Sequence, residues 1–151
     1  MKILVTGASG QVGQALAREL APLGDLRLTN RQDLDLSDPH SIPERLEEIR
    51  PDLIINAAAY TAVDKAESEP DIAYAVNGTA VGVLGDWAAR NGAPLIHFST
   101  DYVFDGKASE PYDENCPINP LSAYGKSKAE GERLLLRSGA SCLVVRTAWV
   151  Y

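Results

Sequence analysis

Tyr124 stands four residues before Lys128 in the stretch Tyr-Gly-Lys-Ser-Lys. On a helix that spacing puts a phenol and an ammonium on one face, about one turn apart. A free phenol, with a pKa near 10, is a poor acid–base group at neutral pH; a neighbouring ammonium together with a cofactor's cation stabilises the phenolate and lowers that value. Of the tyrosines with four residues after them, Tyr60, Tyr74, Tyr102, Tyr112 and Tyr124, only Tyr124 has such a partner. Ser122, just upstream, is a candidate N-cap for the helix that would carry the pair. Taken alone the pair reads as one side of an amphipathic helix. Thr100, at the end of an apolar run, shifts the balance, because a hydroxyl at the edge of a sheet can bind a substrate oxygen.

A second group of residues suits a cofactor for that chemistry. Gly7, Gly10 and Gly13 follow a β-branched and apolar run and open a helical pattern. Gly7 can make the tight turn, Gly10 can let a pyrophosphate approach the backbone, and Gly13 can allow helix and strand to pack closely. Free amides at the helix start, with about half a positive charge from the dipole, complete an anion site. There is no Gly-Lys-Ser/Thr, so a nucleoside triphosphatase loop is not supported. At the next strand end the chain reads Thr29-Asn30-Arg31, with no acid placed to hold both ribose hydroxyls and with Arg31 able to meet a 2′-phosphate. NADPH is therefore expected to bind at least as tightly as NADH, unless a shifted strand end brings Asp33 or Asp35 to the ribose.

The elements that must position these groups follow from periodicity. Strand-like runs cover Ile3 to Thr6, Leu26 to Thr29, Leu53 to Asn56, Leu95 to Ser99 and Cys142 to Arg146. Helical spacing covers Gln11 to Leu23, Ser41 to Ile49, Ile72 to Arg90 and Ala123 to Arg137. The alternation predicts an α/β fold, a doubly wound parallel (Rossmann) sheet with strand order 3-2-1-4-5 and a ligand crevice beyond the carboxyl end of strand 1. Thr100 then lies at that same sheet edge. The stretch from Asp101 to Leu121, with three prolines and several acids, is a loop with a task or a flexible excursion.

Composition narrows the function classes. The 151 residues, 45% apolar, suffice for one domain, and a net charge of -7 disfavours nucleic acid or an anionic membrane as partner. Cys116 and Cys142 make neither a metal-ligand spacing nor a disulfide framework, which suits a cytoplasmic protein. No apolar stretch approaches the ~20 residues of a membrane helix.

The Gly7-x-x-Gly10-x-x-Gly13 spacing together with Tyr124 and Lys128 resembles the short-chain dehydrogenase/reductase superfamily. Within it, NAAAYTAVDKAESEP at 56 to 70, STDYVFDG at 99 to 106, NPLSAYGKSKAEGE at 119 to 132 and VRTAWVY at 145 to 151 resemble the dTDP-4-dehydrorhamnose reductases. The resemblance implies Thr100, Tyr124 and Lys128 as catalytic residues. It implies Gly7, Gly10, Gln11, Val12, Ala57, Ala58, Ala59 and Lys128 as contacts of NADPH or NADH, and Asp35-Leu36 as the pair against adenine. Tyr60, Val63, Asp101, Tyr102 and Trp149 fall where that family builds its sugar-nucleotide pocket. The implied reaction is reduction of the 4-keto group of dTDP-4-dehydro-L-rhamnose, with hydride delivered to C4, Tyr124 as proton donor and Thr100 on the forming alkoxide. A 4,6-dehydratase would need a glutamate after Thr-Asp; here Tyr102 follows Asp101. Other nucleotide-sugar reductases or epimerases, and a non-catalytic binding role like that of the methionine adenosyltransferase regulatory subunit, are the alternatives, and the complete Thr–Tyr–Lys trio favours the enzyme. Family members run to about twice this length, so the chain looks like an N-terminal, cofactor-binding half without the smaller substrate domain. An uncovered fifth strand would then favour self-association, as a homodimer for example.

The remaining polar residues read as structural. His40 and His97 are isolated, and Asp64, Glu67, Glu69 and Asp71 suit helix starts better than a metal, so no metal is expected. Asn77 reads either as the holder of a relay water or as a polar helix position.

Overall fold

The computed structural model describes residues 1–150. Tyr151, the last residue of the VRTAWVY motif, lies outside them. Five parallel strands, β1 (Lys2–Thr6), β2 (Asp25–Thr29), β3 (Leu53–Asn56), β4 (Leu95–Thr100) and β5 (Cys142–Thr147), form one sheet. The helices between them are α1 (Gln11–Leu20), α2 (Ile42–Ile49), α3 (Val63–Ser68), α4 (Pro70–Tyr74), α5 (Ala80–Asn91) and α6 (Ala123–Arg137). No helix among the described residues is long and apolar enough to cross a membrane.

The strand order is 2-1-3-4-5, not the expected 3-2-1-4-5. The residues of β2 and β3 explain the difference. In β2, Asp25-Leu26-Arg27-Leu28 alternates polar and apolar and is largely exposed, which suits an edge; Leu53-Ile54-Ile55-Asn56 is buried almost throughout and needs a neighbour on both sides. After β2 the chain buries Leu34 and Leu36 in the same cluster as Leu4, Ile42, Leu46 and Ile54, which carries it back over β1. α2 then completes a crossover that sets β3 on the far side of β1, with Thr6 beside Asn56. The point where the chain reverses direction across the sheet therefore lies between β1 and β3, and that is where a crevice opens.

One sheet face is packed under α2, α5 and α6 through Leu46, Leu84, Trp87 and Leu135. On the other face, Ile3, Val5 and Ile55 meet Leu16 and Leu20 of α1, while Ile96 and Phe98 are only partly buried. Leu143 of β5 is exposed.

Two helices depart from their expected form. The helical stretch expected from Ile72 to Arg90 is continuous from Pro70 to Asn91, but a π-helical turn at Ala75–Thr79 stands between α4 and α5. The added residue turns Asn77 inward, where it is buried. The first helix ends at Leu20 and tightens into a 3₁₀ turn over Ala21–Leu23, where Pro22 stands at the start of the turn. α6 keeps its expected bounds and is capped as expected, Ser122 Oγ accepting from Gly125 N at 3.0 Å.

The loop after β4 is ordered from within. Tyr112 stacks on Phe104 with ring centres 4.3 Å apart and donates to Asp105 Oδ1 at 2.7 Å. Asn119 Nδ2 donates to the other oxygen of Asp105 at 3.0 Å.

Candidate active site

The end of β1 leads into Gly7, whose φ of +68° closes the turn. A Cβ at Gly7 would lie 2.7 Å from Ala58 Cα, and one at Gly13 would lie 2.2 Å from Gly7 O. Only glycine permits both approaches. Gly10 N donates to Gly7 O at 3.0 Å, and α1 starts at Gly10 with no side-chain cap and no acid in its first turn. Its leading amides thus keep their donors and their positive end for an anion.

A cleft of about 590 Å³ opens over this turn. Gly7, Gly10, Gln11 and Val12 line its floor, Arg31, Asp35 and Leu36 one end, Ala57, Ala58, Ala59 and Tyr60 the strand β3 side, and Tyr124 and Lys128 the other end. Gly13 lines no part of it and serves the packing of α1 on the turn. Uncovered backbone, an uncapped helix start and a cation at the far end fit a dinucleotide. The two acids near the second strand end have partners within their own turn. Asp33 Oδ2 accepts from Asn30 N at 3.1 Å. Asp35 accepts from Ser37 N at 2.8 Å and from Ser37 Oγ at 2.6 Å, and Arg31 Nε stands 3.4 Å from it. Those bonds hold the Asp35 carboxyl below its ordinary range, the Ser37 hydroxyl foremost.

A smaller hollow of about 210 Å³ adjoins the cleft and brings together Val63, Thr100, Asp101, Tyr102 and Trp149. Tyr124 lines both spaces. Its ring meets that of Tyr102 edge-on, centres 5.5 Å apart at 78°. Thr100 Oγ1 donates to Asp101 Oδ1 at 3.1 Å and accepts from Tyr102 N at 3.2 Å. Trp149 has a positive φ and is almost fully exposed. Tyr60 stands on the cleft side, its hydroxyl on Glu69 Oε2 at 2.6 Å, a bond that raises the phenol's pKa.

The expected lowering of Tyr124 is reversed. Burial pushes its phenol above the ordinary value, the Thr100 hydroxyl lowers it, and Asp101 and Tyr102 raise it again. Lys128, which was expected to pull it down, is turned to the sheet: Nζ donates to Phe98 O at 2.6 Å, and burial lowers the ammonium to about 8. Tyr124 is thus a proton holder before any cofactor's charge is added.

Residues that sequence reasoning left as background hold the frame. Asn77 Oδ1 accepts from Tyr60 N at 2.9 Å, and Nδ2 donates to Tyr60 O and Ser127 Oγ, both at 3.0 Å. These bonds use both hydrogens of the Asn77 amide and tie the β3 loop to α6. Glu67 accepts from Ala123 N at 2.7 Å, adding to the start of α6. Glu132 binds Arg146 through two bonds and accepts from Ser99 Oγ. His97 is wholly buried, whereas His40 is at the surface. A lone polar residue in an apolar strand run, at its end for Asn56 and inside it for His97, was the available signal.

Proteins of similar sequence and structure bear on this geometry. A curated relative from Burkholderia thailandensis, a dTDP-4-dehydrorhamnose reductase, is 51% identical over all of this chain and 51% of its own length. The crystal structure of a dTDP-4-dehydrorhamnose reductase from Clostridium acetobutylicum superposes with a TM-score of 0.96 at 43% identity, covering 100% of this chain and 54% of that one. That of Bacillus anthracis, solved in complex with NADP, gives 0.94 at 38% identity over 99% of this chain and 54% of that one. The chain spans about half the length of the relatives it matches. A family model described as the RmlD substrate binding domain matches residues 1–151 from end to end, and the chain belongs to that family.

Proposed function

We propose that the protein carrying this chain reduces the 4-keto group of dTDP-4-dehydro-L-rhamnose, giving dTDP-L-rhamnose, with a nicotinamide dinucleotide held on the glycine turn. The observation that carries this reading is the place of Tyr124, in the wall between the dinucleotide-shaped cleft and the smaller hollow. When bound, the dinucleotide supplies the hydride for the carbonyl carbon. The chain's own residues do the rest. Tyr124, its proton retained by burial, donates that proton to the forming alkoxide, and the Thr100 hydroxyl beside it orients the oxygen. Lys128, which also lines the cleft although its Nζ rests on Phe98 O, would hold the cofactor's ribose side and supply positive charge as the phenolate forms. Val63, Asp101, Tyr102 and Trp149, with Tyr60 at the boundary, seat the sugar nucleotide. Tyr102 occupies the sequence position that a dehydratase would need for a glutamate, which favours reduction over elimination.

The names of the relatives support the same assignment, and the reaction belongs to nucleotide-sugar synthesis in the cytoplasm. Arg31, at the cleft's end and largely exposed, favours NADPH. The test is NADPH oxidation by the complete gene product on dTDP-4-dehydro-L-rhamnose, with UDP-4-keto sugars as competitors. Turnover confined to the UDP series would overturn the reading.

A further inference from the structure

The corrected strand order puts three polar side chains in one row. Thr6, Asn56 and His97 are direct register partners across β1, β3 and β4, Thr6 and Asn56 as the last residues of their strands and His97 in the middle of its own. All three are buried, and so is Lys128 of α6, where the row ends. Thr6 Oγ1 donates to Asn56 Oδ1 at 2.6 Å, Asn56 Nδ2 lies 3.0 Å from His97 Nδ1, and His97 Nε2 lies 3.4 Å from Lys128 Nζ. In the expected order 3-2-1-4-5 the second strand would separate Thr6 from Asn56, and no such row could form.

We infer that His97 is a positioning residue of the proposed reductase site: the Thr6–Asn56 pair fixes its tautomer so that an Nε2–H faces Lys128, which ties the charge of that lysine to the foot of the glycine turn. The inference rests on the functional reading above only in calling the site a reductase's.

The direction of each hydrogen bond follows from the donors. Asn56 Oδ1 receives two of them, the Thr6 hydroxyl and Ala58 N at 3.3 Å, so the amide oxygen faces β1 and the amide nitrogen faces β4. His97 Nδ1 must then accept. Burial, and after it the charge of Lys128, keeps the imidazole neutral, so its one proton sits on Nε2. That proton points at the lysine nitrogen. A neutral amine can accept it with its lone pair, whereas an ammonium meets it donor to donor. The Phe98 carbonyl takes an N–H from the lysine in either state.

The charge of Glu132 opposes this loss, but that carboxylate has partners of its own. Its own helix presents Tyr124 and Glu132, and the Glu132 carboxylate is already bound by Arg146 from β5 and Ser99 from β4. From α3, Glu67 reaches only the start of α6, at Ala123 N, and the π turn presents the uncharged Asn77. A buried ammonium with no carboxylate of its own and a donor pointed at it gives up its proton early, in line with a value of about 8.

The experiment follows the Lys128 amine directly in the complete protein labelled with ¹³C-lysine, reading the Cε shift against pH and assigning it by its loss in Lys128→Met. In His97→Gln an amide oxygen can turn to the ammonium, and the midpoint should rise by about one pH unit or more. Thr6→Val, nearly isosteric, frees the Asn56 amide to turn over and should move the midpoint the same way by roughly half as much. The pH profile of turnover should shift in parallel in both variants. An unchanged Lys128 midpoint in folded Thr6→Val and His97→Gln would overturn the inference, as would a midpoint that falls. Because the titration needs no substrate, a shifted midpoint without turnover on the dTDP sugar would leave His97 in its role and remove the functional reading. Normal turnover with an unmoved midpoint would do the reverse.

Discussion

Tyr124 keeps its proton because little water reaches it, and a donor must hold a proton until the alkoxide forms. Replacing its hydroxyl by hydrogen, Tyr124→Phe, should lower turnover by ~10² to 10⁴ and leave the dissociation constant for NADPH nearly unchanged, as single-turnover and titration measurements on the complete protein would show. Lys128 carries the opposite tension. Its ammonium falls from 10.5 to about 8 on burial, so below that range the folded state holds a charge it disfavours. Between those two values the unfolded chain holds the proton more tightly than the folded one, and stability contributed by this group rises with pH. Lys128→Met should therefore stabilise the fold at pH 7 by about 1–3 kcal/mol while abolishing turnover. The gain should shrink as denaturation is repeated at rising pH through that window. Arg31→Ala should weaken NADPH by about tenfold, the worth of one charge-assisted contact, and leave NADH binding as it was. Equal losses for the two cofactors would remove Arg31 from the phosphate site.

At the level of elements, the glycine turn and α6 were legible in the sequence, because each depends on signals within one stretch of chain: glycines after a strand, a serine cap, a phenol and an amine one turn apart. The Gly13 packing is of this kind too. Gly13→Ala places a methyl against Gly7 O, so the turn must open; binding of NADPH should fall by at least tenfold, with a loss of stability of about 1–3 kcal/mol visible in a thermal scan. The π turn was not legible. Its cause is distant: Asn77 sits where it can bind both Tyr60 backbone groups and Ser127, and only the approach of the β3 loop to α6 makes the extra residue favourable. The acids at Glu67 and Glu69 read as helix-start charges for the same reason, although they bind Ala123 N and the Tyr60 hydroxyl. The row through Asn56 and His97 was hidden by the strand order, since the alternation in β2 was available as an edge signal but the right-handed crossover rule admits either placement of β3.

Over the whole molecule, apolar surface is divided unevenly. One sheet face is closed by three helices, and among the described residues the other carries α1 alone, with Ile96 and Phe98 partly open and Leu143 exposed. The polypeptide of residues 1–151 expressed by itself should bind an apolar dye and self-associate, and Leu143→Lys should reduce both in light scattering and fluorescence. A monodisperse monomer that ignores the dye would refute this. The order 2-1-3-4-5 also bears on how the chain reaches its structure. β1 and β2, joined through α1, are the paired strands nearest in the chain; the pairings of β3, β4 and β5 each wait for a longer intervening segment. The Thr6–Asn56–His97–Lys128 row closes only when β1, β3, β4 and α6 are all in place, so its buried groups act as a record of assembly. Amide exchange at Asn56 and His97 should then proceed only by global unfolding, and a refolding chain should gain cofactor affinity in the same kinetic phase as protection at those two amides.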